Sequence, residues 1–512
     1  MIKQKSKNTK VELHDVLTYF INHPKLSIPE IAKQMDISTP TVTKMVNELI
    51  YKNYIYSIGK IEQGEGRPPM LYTINPEIGY FIGVDIKHNY IRIGLIDFSG
   101  NIKMIKNLSY IINNTEKSLN ELCSLIQNFI RESNINSTLI ISIQINISGR
   151  VNPTLGISHT MFSFLEDPIS EVLEYKLGHP ITIENDTRSM FFGEIYKGCI
   201  DKEKDIIYIN LSWGLGSALM VNGQVVKGKS GFSGELGHFY AFDNEILCHC
   251  GKRGCLETEV SGSALYRTCI EEINKGKQSI LSEKVINNPK NFTLEDIIEA
   301  INKEDVLCIE LMEQIAIKLG KQIANLINLL NPELIVIGGS LARTGDYLLL
   351  PLKLTLKKYT LNAVNKDSKI LLSNLKDEAG IIGACYLARC NYLKGLKGMN
   401  NHQKQEFFPL IKKQSKKNSY YPKERFYRYT SPRSRGSKLT ASIKFHFSKQ
   451  SLPAIRKILH IVFNLYNKLN IKKRAQTKPI LYTFSLCKAI LRTHSQRKAS
   501  TLLFFMFPLR ET

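Results

Sequence analysis

The first regular hydrophobic pattern lies near the start of the chain. Apolar residues recur there every three or four positions, and this spacing predicts three short amphipathic helices over residues 11–21, 28–35 and 39–50. Ser27, with Glu30 three positions later, matches the capping box that begins a helix. Two short helices joined by a tight turn, the second with a polar outer face, are typical of a helix-turn-helix that binds double-stranded DNA.

A period-two pattern follows at residues 54–59 and 71–74, and it predicts two strands joined by a turn rich in Gly, Arg and Pro. Such a ribbon is typical of a wing, and we expect Arg67 at its tip to enter a minor groove. The alternative is a small helical packing module whose polar face is only solvated. On the first interpretation, residues 1–75 form a winged helix-turn-helix DNA-binding domain. The predicted DNA contacts are Thr39, Thr41, Thr43, Lys44, Asn47 and Arg67.

Strand and helix patterns alternate from residue 76 to residue 393. Short apolar runs are followed by longer segments with helical spacing, and the last of these is a long helix over residues 311–330. This alternation predicts the α/β class. The predicted strands cover residues 81–86, 91–97, 139–147, 206–211, 218–221 and 334–337.

Cys248, Cys250 and Cys255 lie close together in a loop that contains glycines. His238 lies upstream of this loop, and His249 lies inside it. Three thiolates and one imidazole fit the tetrahedral coordination of a structural zinc ion, which leaves no position open for water. In a chain without a secretion signal, such a cluster is more typical of a metal site than of a disulfide. The alternative is a set of free buried cysteines.

Five segments together resemble the ROK family, which includes sugar-responsive transcriptional repressors and sugar kinases. The resemblance covers about residues 1–390, because repressor members also carry an N-terminal winged helix-turn-helix. It implies an actin-like, two-lobed sugar-kinase fold with ribonuclease H-like halves, in which residues 76–393 form the sugar-binding domain. It also favours His238 over His249 as the fourth zinc ligand. The segments are Ile147–Pro153, Glu184–Asp186, Gly231–His238, Cys248–Glu257 and Leu330–Gly339.

The resemblance further implies a sugar site. Buried sugar hydroxyls need carboxylates and amides as partners, so that no polar group is left unpaired. His238 would serve both sites, with one ring nitrogen on zinc and the other toward a hydroxyl. Taken singly, these residues also fit ordinary structural roles: Asp186 would cap the following helix, and Glu235 would be a solvated turn residue. The residues implied for the sugar are Gly149, Arg150, Asn185, Asp186, Glu235, His238 and Glu257.

An ATP-dependent sugar kinase is the alternative function, because Asp186 occupies the position of the catalytic base in the family's kinases. The phosphate cradle argues against it. The family's kinases have a Gly-Gly-Thr turn where this chain has Lys87-His88-Asn89, and the chain's single Trp, Trp213, lies in the second phosphate loop. Backbone amides approach phosphates closely only where no Cβ intervenes. We therefore expect a degenerate kinase fold without enzymatic activity, although Lys87 could neutralise a phosphate.

The charge of the chain is unevenly distributed. The chain has 69 Lys and Arg against 46 Asp and Glu, yet residues 394–512 hold 27 of the basic residues and 3 of the acidic ones. Family members normally end near residue 390, so this basic tail is predicted to lie outside the family fold. It is interpreted as a nucleic-acid-binding arm, as a membrane-surface segment or, as the abrupt change of composition favours, as sequence read beyond the natural end.

The function expected from these patterns is a repressor whose operator binding is controlled by a sugar or sugar phosphate. A two-fold symmetric operator implies a homodimer or homotetramer. No segment approaches the ~20 apolar residues of a membrane span. The first 25 residues contain no apolar signal-peptide core, so we expect a cytoplasmic protein with no membrane partner.

Overall fold

A computed structural model describes residues 11–60, 69–87, 89–398, 440–444 and 504–508. The chain divides into two compact units, residues 1–415 and residues 416–512. Among the described residues, no helix combines the length and the apolar character needed to span a bilayer.

The N-terminal module consists of three helices and a three-stranded antiparallel sheet with the strand order β1-β3-β2. The predicted capping box is present: the Ser27 amide donates to the Glu30 carboxylate at 2.7 Å, and the Glu30 amide donates to the Ser27 hydroxyl. Asp36 adopts a left-handed conformation that ends the second helix and opens the turn to the third. The elements are α1 (Leu13–Asn22), β1 (Leu26–Ser27), α2 (Ile28–Met35), α3 (Thr39–Tyr51), β2 (Ile55–Lys60) and β3 (Met70–Ile74).

The first lobe that follows is built on a five-stranded sheet with the order β10-β7-β4-β5-β6. Strands β4, β5 and β6 are antiparallel neighbours, whereas β4, β7 and β10 run parallel. The central strands β4 and β7 are buried along nearly their whole length, as expected for strands covered on both faces. The elements are β4 (Tyr80–Ile86), β5 (Tyr90–Asp97), β6 (Ile102–Ser109), α4 (Glu116–Glu132), β7 (Ile140–Ile147), β8 (Val151–Asn152), β9 (Ile157–Ser158), α5 (Ile169–Leu177), β10 (Ile181–Asn185) and α6 (Asp186–Lys197).

The second lobe repeats this topology in a sheet with the order β13-β12-β11-β14-β15. Strands β11, β12 and β13 are antiparallel neighbours, and β11, β14 and β15 run parallel. Two sheets of the same topology confirm the expected two-lobed α/β fold. The elements are β11 (Ile206–Leu211), β12 (Leu215–Val221), β13 (Gln224–Val225), α7 (Gly262–Asn274), α8 (Ser282–Asn287), α9 (Leu294–Asn302), α10 (Val306–Leu330), β14 (Leu334–Gly338), α11 (Asp346–Tyr359), α12 (Asn362–Asp367), β15 (Lys369–Leu372) and α13 (Ala379–Gly398).

The last helix, α13, returns to the first lobe and packs on β4, β7 and α6. Its crossing with α6 is close enough to need glycine: a Cβ at Gly193 would overlap the Ala379 carbonyl, and a Cβ at Gly383 would overlap the Ser189 carbonyl. Because the backbones of α6 and α13 touch at these two glycines, this contact restricts the movement of one helix relative to the other.

The N-terminal module and the first lobe share one hydrophobic cluster, which we call the seam. It contains Val16 and Phe20 of α1 together with Phe98 and, from α13, Leu393 and Leu396. Tyr54, which precedes β2, packs its ring 5.6 Å from that of Phe98, and its hydroxyl lies 3.4 Å from the Tyr392 hydroxyl of α13. The module is therefore joined to the lobe by a continuous core.

The second unit contributes two described strands, β16 (Thr440–Lys444) and β17 (Phe504–Pro508), which pair antiparallel. Helix α13 extends five residues past the predicted boundary at residue 393. The rest of the predicted basic tail lies outside the described residues, and so its three interpretations stay open.

Candidate functional site

A cavity of about 330 Å³ lies where the carboxyl ends of β7 and β10 meet loops of the second lobe. Most of the residues that line it are polar or charged, and several of them directly follow a strand. Carboxyl ends of parallel strands are a common place for ligand sites in α/β proteins. The polar and charged residues of the wall are Lys87, Ser148, Asn185, Asp186, Thr187, Asn210, Ser212, Ser217, Ser233, Glu235, His238, His249 and Glu257.

Asn185 and Asp186 are placed at the cavity by the start of α6. The Asn185 side chain caps this helix, because its amide oxygen accepts from the Arg188 amide at 3.1 Å while its amide nitrogen donates to the Gly149 carbonyl. The capping role that we considered for Asp186 therefore belongs to Asn185. The Asp186 carboxylate accepts from the Ser148 hydroxyl at 2.8 Å and from the Thr187 amide at 2.8 Å.

Lys87 supplies positive charge at this end of the cavity. Its ammonium lies 3.2 Å from the fully buried carboxylate of Asp85. Burial works to lower the pKa of Lys87, but the carboxylates of Asp85 and Asp186 outweigh it and raise that pKa, so the side chain stays cationic. Burial raises the pKa of Asp186, and Lys87 and the Ser148 hydroxyl oppose the shift.

The loop Gly231–His238 brings Glu235 and His238 to the opposite wall. This loop lies directly on β12, and a Cβ at Gly237 would overlap the Leu215 carbonyl. Close approach of the backbone to the strand thus requires glycine at this position. His238 turns Nε2 toward the Glu235 carboxylate, 3.7 Å away, and Nδ1 toward the cysteine loop.

The four predicted zinc ligands converge. The Cys248 sulfur lies 3.7 Å from His238 Nδ1, and the Cys250 and Cys255 sulfurs lie 3.6 Å apart. All four ligand atoms lie within 4.8 Å of one another. A tetrahedral zinc ion with bonds of about 2.3 Å to sulfur sets its ligand atoms about 3.8 Å apart, so the donor set fits zinc in both chemistry and spacing.

His249 remains a competing ligand. Its Nδ1 lies 3.8 Å from the Cys248 sulfur and 2.9 Å from a Glu257 oxygen. Cys248, His249 and Glu257 form a second group that could hold a metal ion. His249 is 68% exposed at its side chain against 29% for His238, and a closed structural site favours the more buried imidazole.

Glu257 links the cysteine loop to the second lobe. One carboxylate oxygen accepts from the Leu215 amide at 2.8 Å, and the other faces His249. Burial works to raise the pKa of Glu257, but these two hydrogen bonds outweigh burial and lower it. The carboxylate is therefore ionised and held in place at the cavity wall.

Six of the seven residues implied for the sugar line the described cavity, and Arg150 is exposed outside it. Six further polar residues of the wall were not predicted as sugar contacts: Ser148, Thr187, Asn210, Ser212, Ser217 and Ser233. A polar residue near the end of the otherwise apolar β11 is the signal that would have found Asn210, and Ser148 lies within the Ile147–Pro153 motif.

The two departures from the kinase pattern both lie on the cavity wall. Lys87 and Trp213 line it, whereas His88 lies outside the described residues. Trp213 is 38% exposed, and its ring is tilted against that of Tyr266, 5.6 Å away. Lys87 and Trp213 thus both place large side chains on the cavity wall.

The outer face of α3 presents the residues predicted to contact DNA. Thr39, Thr41, Lys44 and Asn47 are exposed, whereas Val42, Val46 and Leu49 on the opposite face are buried. Thr43 is half-buried, and its hydroxyl donates to the Thr39 carbonyl one turn earlier. Arg67 and the tip of the predicted wing lie outside the described residues.

The chain was compared with known proteins. It is 28% identical to the xylose repressor of Caldicellulosiruptor bescii over 373 residues, which span 72% of this chain and 92% of that protein. It is 34% identical to a glucokinase of Halalkalibacterium halodurans over 225 residues, 43% of this chain and 67% of that one. The crystal structure of a ROK family transcriptional regulator, a homologue of the E. coli MLC protein, matches with a TM-score of 0.64 and 25% identity and covers 75% of this chain and 96% of its own. The ROK family model matches residues 81–391. The chain belongs to the ROK family.

Proposed function

We propose that this protein is a sugar-responsive transcriptional repressor that binds an operator in double-stranded DNA. The observation that carries the proposal is the exposed polar face of α3, joined through the seam to a ROK-family lobe with a polar cavity. A relative named as a xylose repressor aligns over 92% of its own length, and a solved ROK family transcriptional regulator is matched over 96% of its chain. Residues 1–75 would form the DNA-binding domain, and residues 76–393 the sugar-binding domain.

In the DNA complex, α3 would lie in a major groove as the recognition helix. Asn47 suits an adenine edge, and Lys44 suits a phosphate, because an amide can pair with a base in two places and an ammonium is a point charge. Thr39 and Thr41 would contact phosphates or thymine methyl groups. A homodimer or homotetramer would present two such helices to successive grooves of an inverted repeat.

The cavity suits a polyhydroxylated ligand. Asp186, Glu235 and Glu257 offer carboxylate acceptors, and Asn185 offers an amide. Carboxylates and amides that converge on one cavity can each pair with adjacent hydroxyls, which is how buried sugar groups avoid unpaired polar atoms. Gly149, which contributes only backbone, and the ring of His238 would complete the wall.

Zinc would be structural in this protein. His238, Cys248, Cys250 and Cys255 would hold it with no open position, so the ion would order the loop without acting on a ligand. Coordination at Nδ1 would fix the orientation of the His238 ring and leave Nε2 to face the cavity. Zinc binding and sugar binding would thereby share one residue.

We infer that the protein is not a kinase. The Lys87 side chain lies beside Asp85 where the family's kinases leave backbone bare, and Trp213 stands in the second phosphate loop. The similarity to a glucokinase over 225 residues reflects the shared lobes. Asp186 would then bind a hydroxyl without accepting its proton for phosphoryl transfer.

Repression would end when the sugar favours a conformation whose recognition helices no longer match the operator. The sugar must then bind the two conformations unequally. The structural connection between the cavity and the N-terminal module is short. Asn185 and Asp186, which we propose to bind the sugar, lie at the start of α6. Helix α6 packs on α13, and α13 contributes to the seam.

Selection of binding sites from random DNA by the full chain, at ~150 mM salt, tests the proposal. We expect one inverted repeat to be enriched and its binding to be lost when a particular sugar is added. Asn47→Ala should abolish enrichment, whereas Asn128→Ala, an exposed asparagine on α4, should not. A folded, zinc-loaded protein that enriches no site, or that phosphorylates a sugar with ATP, would overturn the proposal.

A further inference from the structure

The cavity extends beyond the residues implied for one sugar ring. Besides those residues, Thr187, Asn210, Ser212 and Trp213 line the same cavity. A chain of hydrogen bonds joins three of them: Asn210 donates to the Thr187 hydroxyl at 3.0 Å, and the Ser212 hydroxyl donates to the Asn210 oxygen at 2.7 Å. This part of the wall thus combines three hydrogen-bonded polar side chains with an aromatic ring.

Helix α7 holds both the backbone and the ring of Trp213 in place. Its carbonyl accepts from the Ser263 amide at 2.9 Å, at the start of α7. Its ring is supported by Tyr266 of the same helix, and Tyr266 in turn stacks on Phe292 with ring centres 5.0 Å apart. A supported aromatic ring that is 38% exposed in a ligand cavity offers a flat apolar surface at little cost in conformational freedom.

The charges of the cavity favour an uncharged ligand. Asp186, Glu235 and Glu257 line it, against the single cation of Lys87 among the described Lys and Arg side chains of its wall. Lys87 is already paired with Asp85, because its ammonium lies 3.2 Å from Oδ2 of that carboxylate. Among the described residues, no hydrogen bond reaches this oxygen. A phosphate that drew Lys87 away would leave a buried carboxylate unpaired, which is costly.

We propose that the wall from Thr187 to Trp213 is a second carbohydrate subsite, and that the effector is an uncharged saccharide of two rings whose second ring stacks on Trp213. The hydroxyls of that ring would pair with Ser212 and Asn210, and its apolar CH face would cover the indole. The inference rests on the proposed sugar response and names the class of effector. A monosaccharide would fill only the first part of the cavity.

Because Trp213 is the single Trp of the chain, its fluorescence reports directly on this subsite. The full chain is titrated with matched pairs of probes: glucose and cellobiose, xylose and xylobiose, N-acetylglucosamine and chitobiose, with glucose 6-phosphate as the charged probe. We expect one disaccharide to change the fluorescence and to bind at least tenfold more tightly than its monosaccharide. Calorimetry on Trp213→Ala should show a tenfold or greater loss for that disaccharide and less than a twofold change for its monosaccharide.

Two variants control for loss of an aromatic ring and for damage to the fold. Trp213→Phe should restore most of the disaccharide affinity, and Tyr175→Ala, which removes a 90% exposed ring on α5, should change nothing. The inference is overturned if a monosaccharide or glucose 6-phosphate binds most tightly, or if Trp213→Ala weakens both members of a pair equally. In those cases, if the bound sugar still releases the operator, the proposed repressor function stands. If no probe binds and no probe releases the operator, the sugar response itself fails and the inference with it.

Discussion

Replacing Leu396 by Ala tests whether α13 carries the sugar response to the DNA-binding module. Leu396 is 3% exposed and lies in the seam with Val16 and Phe20. A buried Leu→Ala change costs about 2–5 kcal/mol. Because the lost contacts lie between α13 and the module, we expect the variant to keep its sugar site and its recognition helix but to lose the connection between them.

The size of the effect follows from the energy that a switch requires. Moving a population from 1:99 to 99:1 needs about 5.5 kcal/mol of differential sugar binding. If the substitution removes about 3 kcal/mol of this differential energy at the seam, the sugar-dependent change in operator affinity falls on the order of 100-fold, since 1.4 kcal/mol is a factor of ten. Fluorescence anisotropy of a labelled operator, with and without saturating sugar, measures this change, and calorimetry measures sugar binding separately.

Leu356→Ala on α11 is the matched control. Leu356 is also 3% exposed, but it belongs to the hydrophobic cluster of the second lobe. Both variants should unfold at lower denaturant concentration, and only Leu396→Ala should lose the sugar response. If Leu396→Ala is destabilised and still releases the operator as fully as the parent does, the response does not pass through α13.

Three further predictions concern single sites. Lys44→Ala should weaken binding to all operators alike and reduce the slope of log affinity against log salt by about 1, and an unchanged slope would contradict a phosphate contact. Cys255→Ser should remove zinc, as measured by metal analysis of the purified protein, whereas Cys199→Ser, outside the cluster, should retain it. Burial raises the pKa of the Asp186 carboxyl in the folded protein. Protonation of this carboxyl therefore stabilises the fold fully below its ordinary pKa of 3.8, and that stabilisation is lost as the pH rises through the raised pKa. Asp186→Asn should therefore have a larger free energy of unfolding than the parent at neutral pH, a difference that shrinks toward acid pH in denaturant titrations; a less stable variant at neutral pH would contradict this.

Local patterns were sufficient to predict most elements. The predicted strand over residues 206–211 is observed at those bounds, and the helix predicted over residues 311–330 begins five residues earlier, at Val306. The early start has a local cause: Asp305 caps the helix by accepting from the Cys308 amide, and a cap is decided by one hydrogen bond rather than by apolar spacing. Periodicity therefore fixes which segments are helical more reliably than where they begin.

The sequence motifs predicted only part of the candidate site. The zinc cluster lies within one short loop and one preceding turn, so spacing alone brings its cysteines together. Arg150 shows the limit: it follows Gly149 in the same motif, yet its side chain is exposed outside the described cavity. A motif gives the order of residues, but the direction of a side chain depends on the turn, and here the Arg150 amide is held by the Thr160 hydroxyl.

The seam could not be predicted from the sequence because its contacts join distant parts of the chain. Tyr54 and Tyr392 are 338 positions apart, and neither stands in a pattern that indicates a partner. The helix that completes the first lobe also completes the core of the N-terminal module. We expect a ligand that displaces the start of α6 to move α13 with it, because at Gly193 and Gly383 the two backbones touch with no side chain between them. We therefore expect coupling between the proposed sugar site and the proposed DNA-binding module to depend on how the first lobe closes, with no contact needed between the sugar and the module.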